Sequence, residues 1–375
     1  MLYWTGIISI VYILIFSIKK NWIFIIWLFL ALISGFRYNV GTDYKAYSQM
    51  FTALVNGTAT DIWLNKEIGY LWLVDLVDFF NGTYQLVFFI LSISTIILFY
   101  KGLNNFFEKN RTYLLLGTLL FIPMFYFYSL NGIRQAFATA IFFYSIKFIL
   151  KRESLKYFLT ITFAILFHKS ALILFPLYWL LNIRYSNFIL SLYLVIGILI
   201  MIFNPLQIIM DLFSTFKIAY FYYFEHDELN EGTSISAKII TFISFIIIIL
   251  FSSFLNRDNP KENIIFNTMI FFILLRLIAI DMEVLNRLSV YFKPFFIVFI
   301  IFTVFNVIRR IKNSKNLLFI SLIMLILLYS IYGVYYRAKV DGAYNQYAIN
   351  FCLFGKEPCP LQIYGDYNDL YFKGK

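Results

Sequence analysis

Residues 84–100 of the chain read YQLVFFILSISTIILFY, an apolar run without a charged side chain. A helix of about 20 such residues crosses the hydrocarbon core of a bilayer, so this run is close to the required length. Comparable runs recur along all 375 residues, so that 61% of the chain is apolar and only 14% is charged. Soluble domains are about 45–50% apolar and about 25% charged. The composition therefore indicates a membrane protein and excludes a water-soluble enzyme domain.

The aromatic content and the net charge exclude two further classes. The 46 Phe and 29 Tyr residues give far more apolar surface to bury than a disordered chain carries. The formal net charge is +11, but the apolar runs leave no soluble basic domain that would bind nucleic acid. We interpret the positive charge as an orientation signal and expect no nucleic-acid partner.

The apolar runs predict an all-α, polytopic integral membrane protein with about twelve transmembrane helices and with extracytoplasmic re-entrant or interfacial helices. Residues 1–375 are treated as a single membrane-embedded domain in the lipid bilayer. The predicted spans are 1–18, 21–36, 84–100, 112–130, 133–150, 155–167, 170–183, 187–204, 236–255, 263–280, 287–306 and 317–336.

Basic residues predict which way these helices face. No basic residue precedes the run 1–18, whereas Lys19 and Lys20 follow it, which is typical of a retained helix with its N-terminus outside. Threading the other spans from there places roughly half of the Lys and Arg residues in cytoplasmic connectors, as the orientation rule requires. Three longer segments are then extracytoplasmic: 37–83, 205–235 and the tail 337–375.

The segment 68–80 is the weak point of this topology. It is apolar but short, and it contains Asp75 and Asp78. We interpret it as a re-entrant or interfacial helix. If it crossed the bilayer, every later span would invert and the basic stretch 101–111 would face outward, against the orientation rule.

The tail contains both cysteines of the chain, Cys352 and Cys359. An extracytoplasmic position permits a disulfide between them, and two free thiols are the alternative. Because His168 and His226 are the only histidines, we expect no metal site, and we expect no other cofactor.

Arginines at the predicted outer rim of the membrane are candidate functional residues, because charges in such places are costly unless they are paired or hydrated. A guanidinium group binds phosphate oxygens through two N–H groups and stays charged, so several of them together predict a site for a diphosphate on a lipid carrier. The four candidates are Arg37, Arg134, Arg276 and Arg287.

Structural roles are the alternative for these arginines. An arginine at this depth also anchors a helix by reaching the lipid head groups. Ion pairs are another possibility, and the sequence offers Arg276 with Glu283 and Arg287 with Asp281.

Two titratable residues accompany the arginines on the predicted outer face. Asp43 lies where an interfacial helix is expected to begin, and there Asp43 or Thr42 also suits the N-cap position. His168 lies at the outer turn between two predicted helices, where a hydrogen-bonded structural histidine is the alternative to a catalytic one.

Four ordered motifs resemble those of a known family. They are Phe36-Arg37-Tyr38-Asn39-Val40-Gly41-Thr42-Asp43-Tyr44 with Tyr47 and Phe51, then Glu67-Ile68-Gly69-Tyr70, then Asn131-Gly132-Ile133-Arg134-Gln135-Ala136, and then Phe167-His168-Lys169-Ser170-Ala171-Leu172. The set resembles the EpsG-like branch of the Wzy polysaccharide polymerases. A looser fit continues through Asn286-Arg287 and Tyr291-Phe292.

The resemblance implies an integral membrane glycosyltransferase of the bacterial plasma (inner) membrane, with its active site facing the periplasm or the cell exterior. Its substrate would be an undecaprenyl-diphosphate-linked oligosaccharide, and the growing chain would pass from its carrier to the non-reducing end of the next lipid-linked unit. A partner that regulates chain length is implied by the resemblance alone.

A mechanism without a metal follows as a hypothesis. Arg37, Arg134 and Arg287 would hold the diphosphates and offset the charge of the leaving group. Asp43 is the first choice for the general base and His168 is the second. Glu67 or Glu283 could supply a second carboxylate if the reaction were a double displacement. The remaining candidates for substrate binding are Tyr38, Tyr44, Gln135, Arg276 and Glu283.

Three other functions compete with polymerisation. A ligase that transfers finished polymer to another acceptor would use the same donor and similar arginines. A transporter that flips lipid-linked oligosaccharide usually shows related halves and charges near the midplane of the membrane, which this sequence lacks. A structural membrane protein is the last alternative, and catalytically inert arginines would favour it.

Overall fold

The structure is a computed structural model that describes residues 23–41, 43–59, 67–107, 110–203, 235–278 and 287–310, together with 348–349 and 353. These residues are helical apart from turns and one short strand pair, which confirms the all-α prediction. The chain divides into two compact units. One comprises Met1–Phe175 and Asn316–Lys375, and the other comprises Pro176–Lys315.

The first unit contains seven of the described helices. They are α1 (Ile23–Gly35), α2 (Tyr44–Val55), α3 (Ile68–Phe79), α4 (Tyr84–Phe107), α5 (Arg111–Ser129), α6 (Ile133–Leu150) and α7 (Ser154–Phe167), which the 3-10 turn Lys169–Leu174 follows. Helix α4 packs against α1 and α6, α6 packs against α7, and α7 packs against α3.

Aromatic side chains fill the core of the first unit. The rings of Trp27 and Phe121 lie 4.5 Å apart, and so do those of Phe99 and Phe125. The buried indole N–H of Trp27 donates a hydrogen bond to Oγ1 of Thr118, at 3.1 Å. The core therefore joins α1, α4 and α5 with its polar atom satisfied.

The second unit is organised around α11. Its elements are α8 (Leu177–Leu180), α9 (Asn187–Phe203), α10 (Ile235–Ser252), α11 (Pro260–Ile278), the 3-10 turn Ser289–Phe292 and α12 (Lys293–Arg310). Helix α11 packs against α9, α10 and α12. The buried carboxylate of Glu262 accepts hydrogen bonds from the backbone N–H of Asn256 (2.7 Å) and from Nδ2 of Asn306 (2.7 Å), so it ties the start of α11 to α12.

Four helical segments in the described residues are long and apolar enough to cross a membrane: Tyr84–Phe107, Arg111–Ser129, Ile133–Leu150 and Ser289–Arg310. They agree with four of the predicted spans and confirm a membrane protein. The predicted spans 1–18 and 317–336 lie outside the described residues.

The predicted span 170–183 is wrong. These residues form the 3-10 turn Lys169–Leu174 and the single-turn helix α8, with Phe175 and Pro176 between them. Proline has no backbone N–H to donate within a continuous helix, so the apolar run breaks at Pro176.

Helices α2 and α3 are 12 residues each, or about 18 Å long at 1.5 Å per residue. A bilayer core is about 30 Å thick. Neither helix can span it, which agrees with the expectation of re-entrant or interfacial helices between residues 37 and 83.

Two short strands attach the tail to the first unit. Strand β1 (Arg37–Tyr38) pairs antiparallel with β2 (Ala348–Ile349). The backbone N–H of Thr83 donates to the carbonyl of Leu353, at 2.9 Å. The tail therefore contacts both ends of the segment 37–83. Cys352, Cys359 and all but the last residue of 205–235 lie outside the described residues.

Candidate functional site

The described residues 36–41, 43 and 44 lie in a turn between α1 and the start of α2, and this turn contacts a second motif. Asn39 (φ 51) and Gly41 (φ 99) both adopt the left-handed conformation. A Cβ atom on Gly41 would lie 2.8 Å from Oδ1 of Asn131, and the backbone N–H of Asp43 donates to the same oxygen at 3.2 Å. Glycine is therefore required at position 41 both by backbone conformation and by space.

Arg37 is fully buried beneath this turn. Its Nη1 donates to Oγ of Ser92 (2.8 Å) and to the carbonyl of Ser34, and its Nη2 donates to the carbonyl of Leu130 (3.0 Å). The guanidinium lies 4.9 Å from the ring of Phe88. The structure therefore does not place Arg37 where a diphosphate could reach it, and the side chain instead ties α1, α4 and the end of α5 together.

Tyr44 is also buried, and it supports the same turn. Its hydroxyl donates to Oε1 of Gln85 at 2.8 Å. The Nε2 of Gln85 in turn donates to the carbonyls of Gly35 (2.7 Å) and Arg37 (3.1 Å). The half-buried ring of Tyr38 lies 5.7 Å from that of Tyr44. Tyr44 therefore supports the backbone of the turn, and its buried ring is not a surface that a sugar can contact.

Three residues from three separate motifs meet in one cluster. Oε2 of Glu67 accepts a hydrogen bond from Nη1 of Arg134, and Oε1 of Glu67 lies 3.2 Å from Nδ1 of His168. The side chain of Glu67 is 10% exposed, that of Arg134 is 14% exposed and that of His168 is 25% exposed. The carboxylate thus lies deepest, with the arginine and the histidine closer to the surface.

The cluster retains hydrogen-bonding capacity. Among the residues that the structure describes, neither Nη2 of Arg134 nor Nε2 of His168 makes a hydrogen bond. Nη2 carries two N–H donors, and Nε2 is the acceptor when Nδ1–H donates to Glu67. Both residues therefore retain a group that can form a hydrogen bond with a ligand.

Two tyrosines fix the arginine in this cluster. The guanidinium of Arg134 lies 5.4 Å from the ring centroids of both Tyr47 and Tyr70. Its Nε donates to the hydroxyl of Tyr47 at 3.2 Å. Contacts of a cation with two aromatic faces, one hydrogen bond and one ion pair leave the guanidinium little freedom.

A close approach of α3 and α7 brings Glu67 and His168 together. Glu67 immediately precedes α3, and His168 immediately follows α7. At Gly69 the two helices nearly touch, since a Cβ there would lie 2.8 Å from the carbonyl oxygen of Leu166. The missing side chain at Gly69 therefore permits the contact on which the carboxylate–histidine pair depends.

The charge state of Glu67 follows from its neighbours. Burial raises the pKa of Glu67, but the hydrogen bond with His168 and the positive charge of Arg134 outweigh it and lower the pKa to about 2. The carboxyl group is consequently ionised at any physiological pH. It is a poor proton acceptor but a strong partner for the two groups it holds.

Asp43 and Gln135 belong to the same motifs as other residues described here, but their side chains are not part of this cluster. The Asp43 side chain does not cap α2, and it makes no hydrogen bond or ion pair with Glu67, Arg134 or His168. The largely buried Gln135 accepts a hydrogen bond from the hydroxyl of Tyr128 at 2.6 Å.

The other predicted arginines belong to the second unit. Arg276 is half-buried near the end of α11, and Arg287 is exposed shortly before α12. Glu283 and Asp281 lie outside the described residues. The first unit thus brings together Arg134 and His168 of the predicted set, and a contribution from Arg276, Glu283 and Arg287 stays a prediction.

The sequence did not point to the central position of Glu67. From the sequence, Glu67 is only a possible second carboxylate, and Tyr47 and Tyr70 are only members of motifs. The available signal was the order of the motifs, since Glu67 and Tyr70 begin and end one of the four.

The fold and this cluster define a class: a polytopic helical membrane protein with a carboxylate held between an arginine and a histidine at one end of its helices. The chain belongs to the EpsG family, whose model matches residues 20–349. The family indicates a membrane protein of the polysaccharide-polymerase type, with glycosyltransferase-like activity in general. Neither a curated protein nor a solved structure matches the chain.

Proposed function

We propose that this protein lengthens a surface polysaccharide by joining undecaprenyl-diphosphate-linked oligosaccharide units at the outer face of the bacterial plasma membrane. The observation that carries the proposal is the Glu67 carboxylate held between Arg134 and His168. The apolar helices and the family membership support it, because a polymerase of this type acts on a substrate anchored in the membrane.

His168 is the general base of the proposed reaction. In the tautomer that this reaction requires, Nδ1–H of His168 donates a hydrogen bond to Glu67, and the lone pair of Nε2 takes the proton of the attacking sugar hydroxyl. The hydroxyl oxygen then bonds to the anomeric carbon of the donor, and the bond from that carbon to the diphosphate breaks. The imidazolium that forms is stabilised by the negative charge of Glu67.

Arg134 binds the leaving group. As the glycosidic bond breaks, negative charge develops on the lipid diphosphate, and a fixed guanidinium stabilises it without reorganisation. Nη1 is already held by Glu67, so the N–H groups of Nη2 are the donors that face the phosphate oxygens. The two tyrosines that frame the guanidinium keep these donors in position.

The geometry changes the roles of two residues from the sequence-based hypothesis. Asp43 was the first choice for the base, but its carboxylate does not contact the cluster, so we assign that role to His168. Arg37 was expected to bind diphosphate, but it is fully buried, so we assign it to the support of the hallmark turn.

The test is a product analysis with purified protein and lipid-diphosphate oligosaccharide in vesicles. We expect a ladder of lengthened lipid-linked products. A single transfer to another acceptor would indicate a ligase, and translocation across the vesicle without new bonds would indicate a flippase. Either outcome would overturn the proposal.

A further inference from the structure

Helices α3 and α7 each carry a row of large apolar side chains on the surface of the protein. On α7 the row comprises Leu155 and Leu159, which are 71% and 62% exposed. On α3 it comprises Trp72 and Leu76, which are 57% and 54% exposed. Residues that are four apart lie on one face of a helix, so each pair forms a continuous apolar strip.

The two strips meet at the contact between the helices. Leu166 lies seven positions after Leu159, two helical turns along the same face of α7, and Leu76 lies seven positions after Gly69 on the same face of α3. Gly69 contacts Leu166. On each helix, the face that makes this contact therefore continues along the helix as the exposed apolar strip. We refer to the surface formed by Trp72, Leu76, Leu155 and Leu159 as the apolar notch, and to the contact of Gly69 with Leu166 as its apex.

The apex of this notch adjoins the candidate site. Glu67 is two residues from Gly69, and His168 is two residues from Leu166. The acidic side chains of α3, Asp75 and Asp78, project from the flank of α3 away from the Gly69 face, since they lie six and nine positions from it at 100° per residue. The side chains of the notch are therefore apolar up to the polar cluster, apart from the exposed Thr162, which lies between Leu159 and Leu166 on the same face of α7.

We propose that this notch binds the first isoprene units of a long-chain polyprenyl diphosphate, next to the diphosphate held by Arg134. The inference rests on the proposed function. A prenyl chain attached to a diphosphate in the cluster must leave along apolar surface, and the notch is apolar surface continuous with the cluster. Ordinary phospholipid is the competing occupant.

Photocrosslinking tests the occupant without requiring catalysis. The photoreactive residue benzoylphenylalanine replaces Leu159 or Leu76 in the full chain, and the matched control is Ile25, an exposed apolar residue of α1 (44% exposed). The vesicles contain phospholipid and a trace of long-chain polyprenyl diphosphate. We expect prenyl adducts at the two notch positions and phospholipid adducts at Ile25. Phospholipid adducts in the same proportion at all three positions would overturn the proposal.

Substrate chain length supplies a second readout. In Leu159→Asn we expect KM for a long-chain donor to rise about fivefold to tenfold, as the loss of a modest apolar contact implies, while KM for a short-chain donor stays unchanged. Ile25→Asn should change neither value. Equal changes for both donors would contradict binding of the prenyl chain at the notch. Prenyl adducts at the two notch positions, together with a wild-type protein that forms no glycosidic bond, would contradict the proposed function alone.

Discussion

Glu67 and His168 are 101 positions apart in the sequence, yet Oε1 of Glu67 lies 3.2 Å from Nδ1 of His168. The other oxygen of the same carboxylate accepts a hydrogen bond from Arg134. One buried carboxylate therefore sets the orientation of both an imidazole and a guanidinium. The roles proposed for these residues lead to the following expectations.

His168→Gln should slow chain growth by about 10²–10⁴-fold, the usual contribution of a general base. Glutamine can still hydrogen-bond to Glu67 but cannot take the proton of the sugar hydroxyl. The measurement is the initial rate of lengthened product with purified protein. The control is His226→Gln, since His226 is the only other histidine of the chain. Equal rates for His168→Gln and the wild type would remove His168 from the reaction.

Arg134→Lys should also lose chain growth, although the charge is retained. A lysine ammonium cannot contact Tyr47, Glu67 and a diphosphate with the geometry of a planar guanidinium. The matched control is Arg184→Lys, which alters an exposed ion pair with Asp258 and should leave the rate within about twofold, because exposed pairs contribute little. Polymer of normal length from Arg134→Lys would show that the forked geometry is dispensable.

Gly69→Ala should destabilise the protein and reduce its activity together. The added Cβ would lie 2.8 Å from the Leu166 carbonyl oxygen, so α3 and α7 must separate, at a cost of about 1–3 kcal/mol. Separation also lengthens the distance from Glu67 to His168. Gly57→Ala serves as the control, because its Cβ would meet nothing within 4 Å. Because Gly57 has φ 68, alanine there strains the backbone without a steric clash. We therefore expect both variants to unfold at a lower temperature, and only Gly69→Ala to lose activity.

Arg37→Met should lower stability rather than substrate affinity. The guanidinium of Arg37 donates to Ser92 and to two backbone carbonyls, and its removal leaves these acceptors unsatisfied. A buried neutral acceptor that loses its hydrogen bond costs about 1–3 kcal/mol. We expect less folded protein in the membrane, with an unchanged KM for what remains. A raised KM at normal stability would return Arg37 to the binding site.

The pH dependence of stability should reflect Glu67. Its pKa is lowered from 4.5 to about 2, so its contribution is fully present above its unfolded pKa and is lost as the pH falls through its folded pKa. The difference in unfolding free energy between the wild type and Glu67→Gln should accordingly shrink as the pH falls from about 5 to about 3. A difference that stays constant or grows over that interval would contradict a Glu67 that is ionised and paired in the folded protein.

The sequence predicted the helices better than the placement of their charges. The run 133–150 has the same bounds in the structure, because apolar length sets a helix of this kind. The prediction of a span at 170–183 is wrong, because the apolar composition does not reveal that the helix breaks at Pro176. Arg37 and Arg134 appear alike in the sequence. Their roles differ because of contacts with residues that are distant in the sequence: Arg37 is a buried support that contacts Ser92, and Arg134 is a partly exposed binding group that contacts Glu67.

The central claim is that Glu67 and His168 act as one unit in glycosidic bond formation. A double-mutant cycle tests it most directly, with initial rates of chain growth measured for Glu67→Gln, for His168→Gln and for the double variant on lipid-diphosphate oligosaccharide. Residues that act as a unit are strongly non-additive, so we expect the double variant to be no slower than the slower single variant. A double variant whose loss equals the product of the two single losses would contradict the account.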